Sequence, residues 1–137
     1  MAVGSGIDTP SDVATLQVAG ITVVLNLREA DERKLLPPGL IYLHNPTADD
    51  GAPKDAAWFK KSINFALKYL LLPDEKIYVH CAAGIQRSPS TCYAILRAFG
   101  LGKLEARATV LFHRPVAAVG MRYAHDADRA IAALGYE

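Results

Sequence analysis

The sequence predicts a three-layer α/β domain with a central, mainly parallel sheet flanked by helices. Short apolar runs at 22–27, 41–44 and 77–80 have the length and the β-branched or aromatic content of strands. Helical patterns lie between them, and strands alternating with helices build a parallel sheet. The run Thr22-Val-Val-Leu-Asn-Leu27 is almost wholly apolar, as suits a strand covered on both faces.

Each element has its own reason. Thr9-Pro10-Ser11-Asp12 opens a first helix with a capping hydroxyl, a proline at the first position and an acid in the first turn. That helix runs to about Ala19, buries Val13 and Leu16, and stops at Gly20. The charged segment 28–34 has the makings of a helical turn, and Pro37-Pro38-Gly39 forces a loop before the strand at 41–44. A turn-rich loop fills 45–53. From Lys54 or Asp55 to about Leu72 an amphipathic helix turns Phe59, Ile63, Ala66, Leu67 and Leu70 inward and Lys60, Lys61, Asn64 and Lys68 outward. Trp58 and Phe65 read as core anchors. A helix from Ser88 to about Phe99 follows the strand at 77–80, with Gly100 and Gly102 as stop signals. Two more are expected at about 103–111 and 122–134, the last presenting Tyr123, Ala127, Ile131 and Leu134 on one side.

At 137 residues the chain is expected to form one domain over its whole length. A net charge of +1 gives no electrostatic footprint for nucleic acid or an anionic membrane. No apolar run reaches membrane-spanning length, and the N-terminal residues lack the basic and apolar regions of a secretory signal. Two cysteines make no disulfide framework and point to a reducing cytoplasm. His44, His113 and His125 lack metal-ligand spacing, so no metal or cofactor is expected.

The chemistry concentrates at Ile77-Tyr-Val-His-Cys-Ala-Ala-Gly-Ile-Gln-Arg-Ser-Pro89. A strand passes through small residues into a helix that Ser88 is expected to cap, with Pro89 at the first helical position. Loop amides and a helix N-terminus there form an anion cradle. A thiol held over such a cradle is expected to react as the thiolate, which makes Cys81 the candidate nucleophile. Arg87 can grip two phosphate oxygens bidentately. Nucleophile and phosphate clamp occupy one loop.

His80-Cys81-Ala82-Ala83-Gly84-Ile85-Gln86-Arg87-Ser88 resembles the signature of the cysteine-dependent protein phosphatases, His-Cys, five residues, then Arg-Ser/Thr. The resemblance implies a protein-tyrosine-phosphatase-like fold and hydrolysis through a phosphocysteine. The amides of Ala82, Ala83, Gly84, Ile85 and Gln86 would bind phosphate together with Arg87. It also implies an Asp about thirty residues upstream that protonates the leaving oxygen and then activates water. Asp49, in Pro46-Thr47-Ala48-Asp49, lies 32 positions before Cys81, and its neighbour Asp50 is the alternative. The Ser88 hydroxyl would stabilise the departing thiolate. His80 would order the loop, and Gly84 would let the amides converge. Gln86 reads as a solvated loop side chain, Cys92 as a small buried hydrophobe, and Arg114-Pro115 as structural.

Rhodanese-type sulfurtransferases lack this pattern of Ser/Thr after Arg with an upstream acid. Low-molecular-weight phosphatases and arsenate reductases place a similar loop near the N-terminus and the acid far downstream, where this chain has only Asp126 and Asp128 on a predicted helix. Within the superfamily the chain looks like the compact dual-specificity branch, and the resemblance covers most of its length. It implies phosphotyrosine, and with a shallow pocket phosphoserine and phosphothreonine, in phosphoproteins. The alternatives are a small phosphoester, an inositide, an RNA 5′-phosphate, or phosphate binding without turnover. The uncharged Ala82, Ala83, Ile85 and Gln86 argue against a highly phosphorylated inositide headgroup.

Overall fold

Among the residues that the computed structural model describes, 1–119 and 121–137, strands β1 (Ala2–Gly4), β2 (Val23–Asn26), β3 (Ile41–His44) and β4 (Ile77–His80) form one sheet. Their order is β1-β4-β2-β3, and every pairing is parallel. The side-chain period of two sends Val23, Leu25, Ile77 and Val79 into one core and Val24 and Tyr78 toward the other. This is the three-layer α/β arrangement that the sequence predicts, with unequal outer layers. α1 (Pro10–Val18) contributes Val13 to the smaller core. α2 (Ala56–Leu70), α3 (Arg87–Phe99), α4 (Lys103–His113) and α5 (Ala124–Ala133) cover the opposite face.

β1 is the strand that the sequence reading lacks. Three residues ending in glycine are too short to show alternation, and pairing with β4 supplies the order that local propensity cannot. The segment 28–34 yields a 3₁₀ turn at Arg33–Leu35. α2 begins after Asp55, whose side chain accepts the Trp58 amide at 2.9 Å, and its lysines face solvent as expected. Trp58 and Phe65 pack against the core while staying partly exposed. α4 runs two residues beyond its expected end, and α5 starts two residues later than expected, with Tyr123 at its cap position.

The start of α3 departs from expectation. Gln86 stands at the cap position and the helix begins at Arg87, so Ser88 does not cap it. The Ser88 amide points at Cys81 Sγ, 3.4 Å away, and the first turn is thus directed at sulfur. The rest of α3 is buried nearly all round, packed on α2, α4 and α5. No helix among the described residues is long and apolar enough to cross a membrane.

α1 is closed by a complete capping box. Thr9 Oγ1 accepts the Asp12 amide at 3.2 Å, while Asp12 Oδ2 accepts the amides of Asp8 at 2.9 Å and Thr9 at 3.1 Å. Those bonds, Asp8 first and Thr9 second, hold the Asp12 carboxyl below its ordinary value of 3.8. A depressed folded-state value gives stability that is full above 3.8 and lost as pH falls through the folded value. Thr9→Ala should destabilise the fold by about 1 kcal/mol in urea unfolding. The stability gap between wild type and Asp12→Asn should close as the solution is acidified; a gap independent of pH would contradict the box.

Candidate active site

Cys81 follows β4 at the carboxyl edge of the sheet, where β4 lies between β1 and β2. In open parallel sheets this edge is where ligands bind. The loop that Cys81 opens is curled so that its two kinds of backbone group part company. Among the described residues, no amide from Ala82 to Arg87 donates to a protein acceptor. Every carbonyl from Cys81 to Gln86 is satisfied.

The partners of those carbonyls come from across the fold. His80 Nδ1 donates to Cys81 O at 3.1 Å, and the Gly6 amide to Ala82 O at 3.0 Å. Arg114 donates through Nη2 to Ala83 O and through Nε to Gly84 O, each at 3.1 Å. The Met121 amide reaches Ile85 O at 3.5 Å, and the Ser90 amide Gln86 O at 3.1 Å. Arg114 is structural, as expected, and what it builds is the loop itself.

Cys81 Sγ is buried at the floor of this cradle. Ser88 Oγ lies 3.3 Å from it and 3.2 Å from Gly4 O, so one hydroxyl proton can serve either acceptor. Arg87 is buried; its Nη1 donates to Thr47 O at 2.7 Å and its Nε has no protein partner. That leaves the bidentate edge of the guanidinium for an oxyanion. The same residue ties the cradle to the loop that carries Asp49 and Asp50.

The two aspartates differ in what they touch. Asp50 Oδ1 accepts Lys54 Nζ and the Ala52 amide, each at 2.9 Å. These, Lys54 first, hold its carboxyl below the ordinary range, which favours the charged form over a proton donor. Asp49 Oδ1 accepts the Tyr123 hydroxyl at 2.9 Å and lies 3.6 Å from Arg122 Nη1. Its side chain is 37% exposed. The downstream pair is committed elsewhere, Asp126 to Arg129 and the Lys54 amide, Asp128 to Tyr93 and Arg97.

Gln86 is not simply solvated. Its Oε1 accepts the Arg122 amide at 2.7 Å, fastening the loop to the approach of α5. His80 is fully buried and bonds Glu32 through Nε2. Glu32 in turn accepts Arg28 Nε and Nη2 at 3.2 and 2.8 Å, and Arg28 Nη1 pairs with Asp8 at 2.7 Å. Sequence reasoning missed Glu32 because it lies in a charged run that normally faces solvent. The i,i+4 spacing from Arg28 is the signal that could have found it. It missed Gly4, Gly6 and Tyr123 as well, since none stands near the signature in the chain. Cys92 is buried as expected, and burial pushes its thiol up to about 12. Among the described residues no group of His, Cys, Asp and Glu is arranged to hold a metal ion.

Gly84 shows how little slack the loop has. Its φ is +72°, and an added Cβ would stand 2.7 Å from the carbonyl carbon and oxygen of Gly4 and 2.6 Å from Arg114 Nη2. Gly84→Ala should cost at least about 1–3 kcal/mol from backbone strain alone and abolish vanadate binding. Unchanged vanadate affinity, measured by calorimetry, would show that the loop conformation does not depend on this glycine.

The dual specificity phosphatase catalytic-domain model matches residues 6–126. Over 87 residues, 63% of this chain, the sequence is 36% identical to human dual specificity protein phosphatase 2, of whose length the match covers 27%. The fold superposes on human DUSP28 with a TM-score of 0.81 and 24% identity, covering 98% of this chain and 92% of that one. DUSP15 gives a TM-score of 0.76 at 26% identity, covering 97% and 81%. A signature loop at the edge of a parallel sheet, matched together with most of the chain around it, makes this chain a member of the dual specificity phosphatase family, within the protein tyrosine phosphatase superfamily.

Proposed function

We propose that residues 1–137 form one catalytic unit that hydrolyses phosphotyrosine, and with it phosphoserine and phosphothreonine, in proteins through a phosphocysteine. The observation that carries this reading is the loop after Cys81, whose amides from Ala82 to Arg87 have no protein acceptor among the described residues while its carbonyls are all bonded, together with the unpartnered Arg87 Nε. Non-bridging phosphate oxygens would accept from the amides of Ala82, Ala83, Gly84, Ile85 and Gln86 and from Arg87, where negative charge gathers in the transition state. Cys81 thiolate attacks phosphorus as the bond to the leaving oxygen breaks, and protonated Asp49 gives that oxygen its proton. Asp49 carboxylate then takes a proton from water, whose oxygen attacks phosphorus as the phosphorus–sulfur bond breaks. The Ser88 hydroxyl, 3.3 Å from Sγ, stabilises the sulfur that leaves as thiolate. His80 orders the loop from below. The two free thiols suit a reducing, cytoplasmic setting.

The test is turnover across phosphotyrosyl, phosphoseryl, inositide and nucleotide substrates in reducing buffer. Preference for the phosphopeptides is the expected result, and a preference for inositide or RNA 5′-phosphate would move the substrate class while keeping the chemistry. Cys81→Ser should abolish turnover and retain phosphate binding. Arg87→Lys should lose most activity, because a point charge cannot replace the planar fork. Hydrolysis by Cys81→Ser would refute the covalent route.

Asp49→Asn should slow esters of poor leaving groups by on the order of 10²–10⁴-fold and remove the limb on which the rate falls with rising pH. Asp50→Asn should keep that limb. The reverse pattern would exchange the two residues, and loss of the limb in neither variant would remove the upstream acid from the mechanism.

A further inference from the structure

Tyr123 reads from the sequence as one of the inward residues of the last helix, and its ring is indeed fully buried in the larger core. Its hydroxyl does something that packing does not require. The Gly51 amide donates to Tyr123 Oη at 3.0 Å, so the hydroxyl proton is free to go to Asp49 Oδ1, 2.9 Å away. The Tyr123 amide bonds Ser90 Oγ on α3 at 3.3 Å, and Lys54 Nζ lies 4.9 Å from the ring centroid. One rigid side chain, anchored to the helix that carries Arg87, therefore holds both the backbone and the carboxyl of the Asp49 loop.

We infer that Tyr123 is a positioning residue for the acid: its hydroxyl occupies Asp49 Oδ1 and so assigns the transferable proton to Oδ2. This rests on the reading of Asp49 as general acid. Arg122 Nη1, 3.6 Å from the same Oδ1, favours the same assignment, since an oxygen facing a donor and a cation is the acceptor of the pair. A carboxyl group free to rotate offers its proton in many directions, and one oriented by a buried phenol offers it in one.

The inference predicts a selective defect. Tyr123→Phe keeps the buried ring and removes only the hydroxyl. It should lower kcat on the order of tenfold for an alkyl phosphate, the weight of one hydrogen bond on a barrier, with KM unchanged. On p-nitrophenyl phosphate, whose leaving oxygen departs with little help, the loss should be much smaller. In an Asp49→Asn background the same substitution should add no further loss on the alkyl ester, because there is no proton left to orient. Vanadate affinity and the thermal midpoint of each variant report the state of the cradle and the fold. Equal losses on both esters, or a full further loss in the Asp49→Asn background, would make Tyr123 structural only and overturn the inference. If Asp49→Asn behaves as expected while Tyr123→Phe matches wild type on every ester, the inference alone falls. If Asp49→Asn itself leaves leaving-group dependence unaltered, the acid assignment fails and takes the inference with it.

Discussion

A backbone loop can turn its amides toward one point only if its carbonyls, turned the other way, find partners. That constraint governs the whole molecule. The carbonyls from Cys81 to Gln86 draw donors from Gly6, His80, Arg114, Met121 and Ser90. A buried carbonyl left unpaired costs about 1–3 kcal/mol. The sheet and the buried α3 are thus a frame that brings donors from distant parts of the chain to one loop.

Behind the loop lies a chain of polar side chains that an apolar core would have avoided. Asp8, Arg28, Glu32 and His80 are linked in order, and His80 ends the series on Cys81 O. Burying ions rarely adds net stability, but removing Arg28 would leave the buried Glu32 without its cation at a cost of about 3–5 kcal/mol. What the series does is fix direction, because each side chain has a single partner geometry, and the imidazole is delivered to the loop at one angle. Tyr78 adds to this by stacking on the His80 ring with centroids 5.5 Å apart.

The signature was legible because its chemistry is contiguous: Cys81, Gly84, Arg87 and Ser88 announce themselves at fixed spacing. The strands β2, β3 and β4 and the helix α2 were legible for a related reason, since a period of two or 3.6 is a local property. What escaped is what depends on pairing across distance. β1 exists because Ala2, Val3 and Gly4 find Tyr78, Val79 and His80. Glu32 looks solvated until His80 is set beside it, and Tyr123 looks like ordinary packing until the Asp49 loop arrives at its hydroxyl. Ser88 was misread as a cap because its local chemistry suits one, while Cys81 and Gly4 claim its polar atoms. The difference between Asp49 and Asp50 also depends on a side chain the local pattern does not place, Lys54, which engages only the second.

The donors that shape the loop come from near both ends of the described chain, Gly6 on one side and Met121 on the other. A cradle closed by such remote segments has no partly folded version: a chain that has not docked α5 and the residues after β1 cannot present convergent amides. Any oxyanion that settles on those amides then binds the native state alone. By mass action such a ligand at a hundred times its dissociation constant deepens the native well by about 2.7 kcal/mol. Phosphate held there would become a term in this protein's folding equilibrium, and half-life against proteolysis would then follow the concentration of the anion.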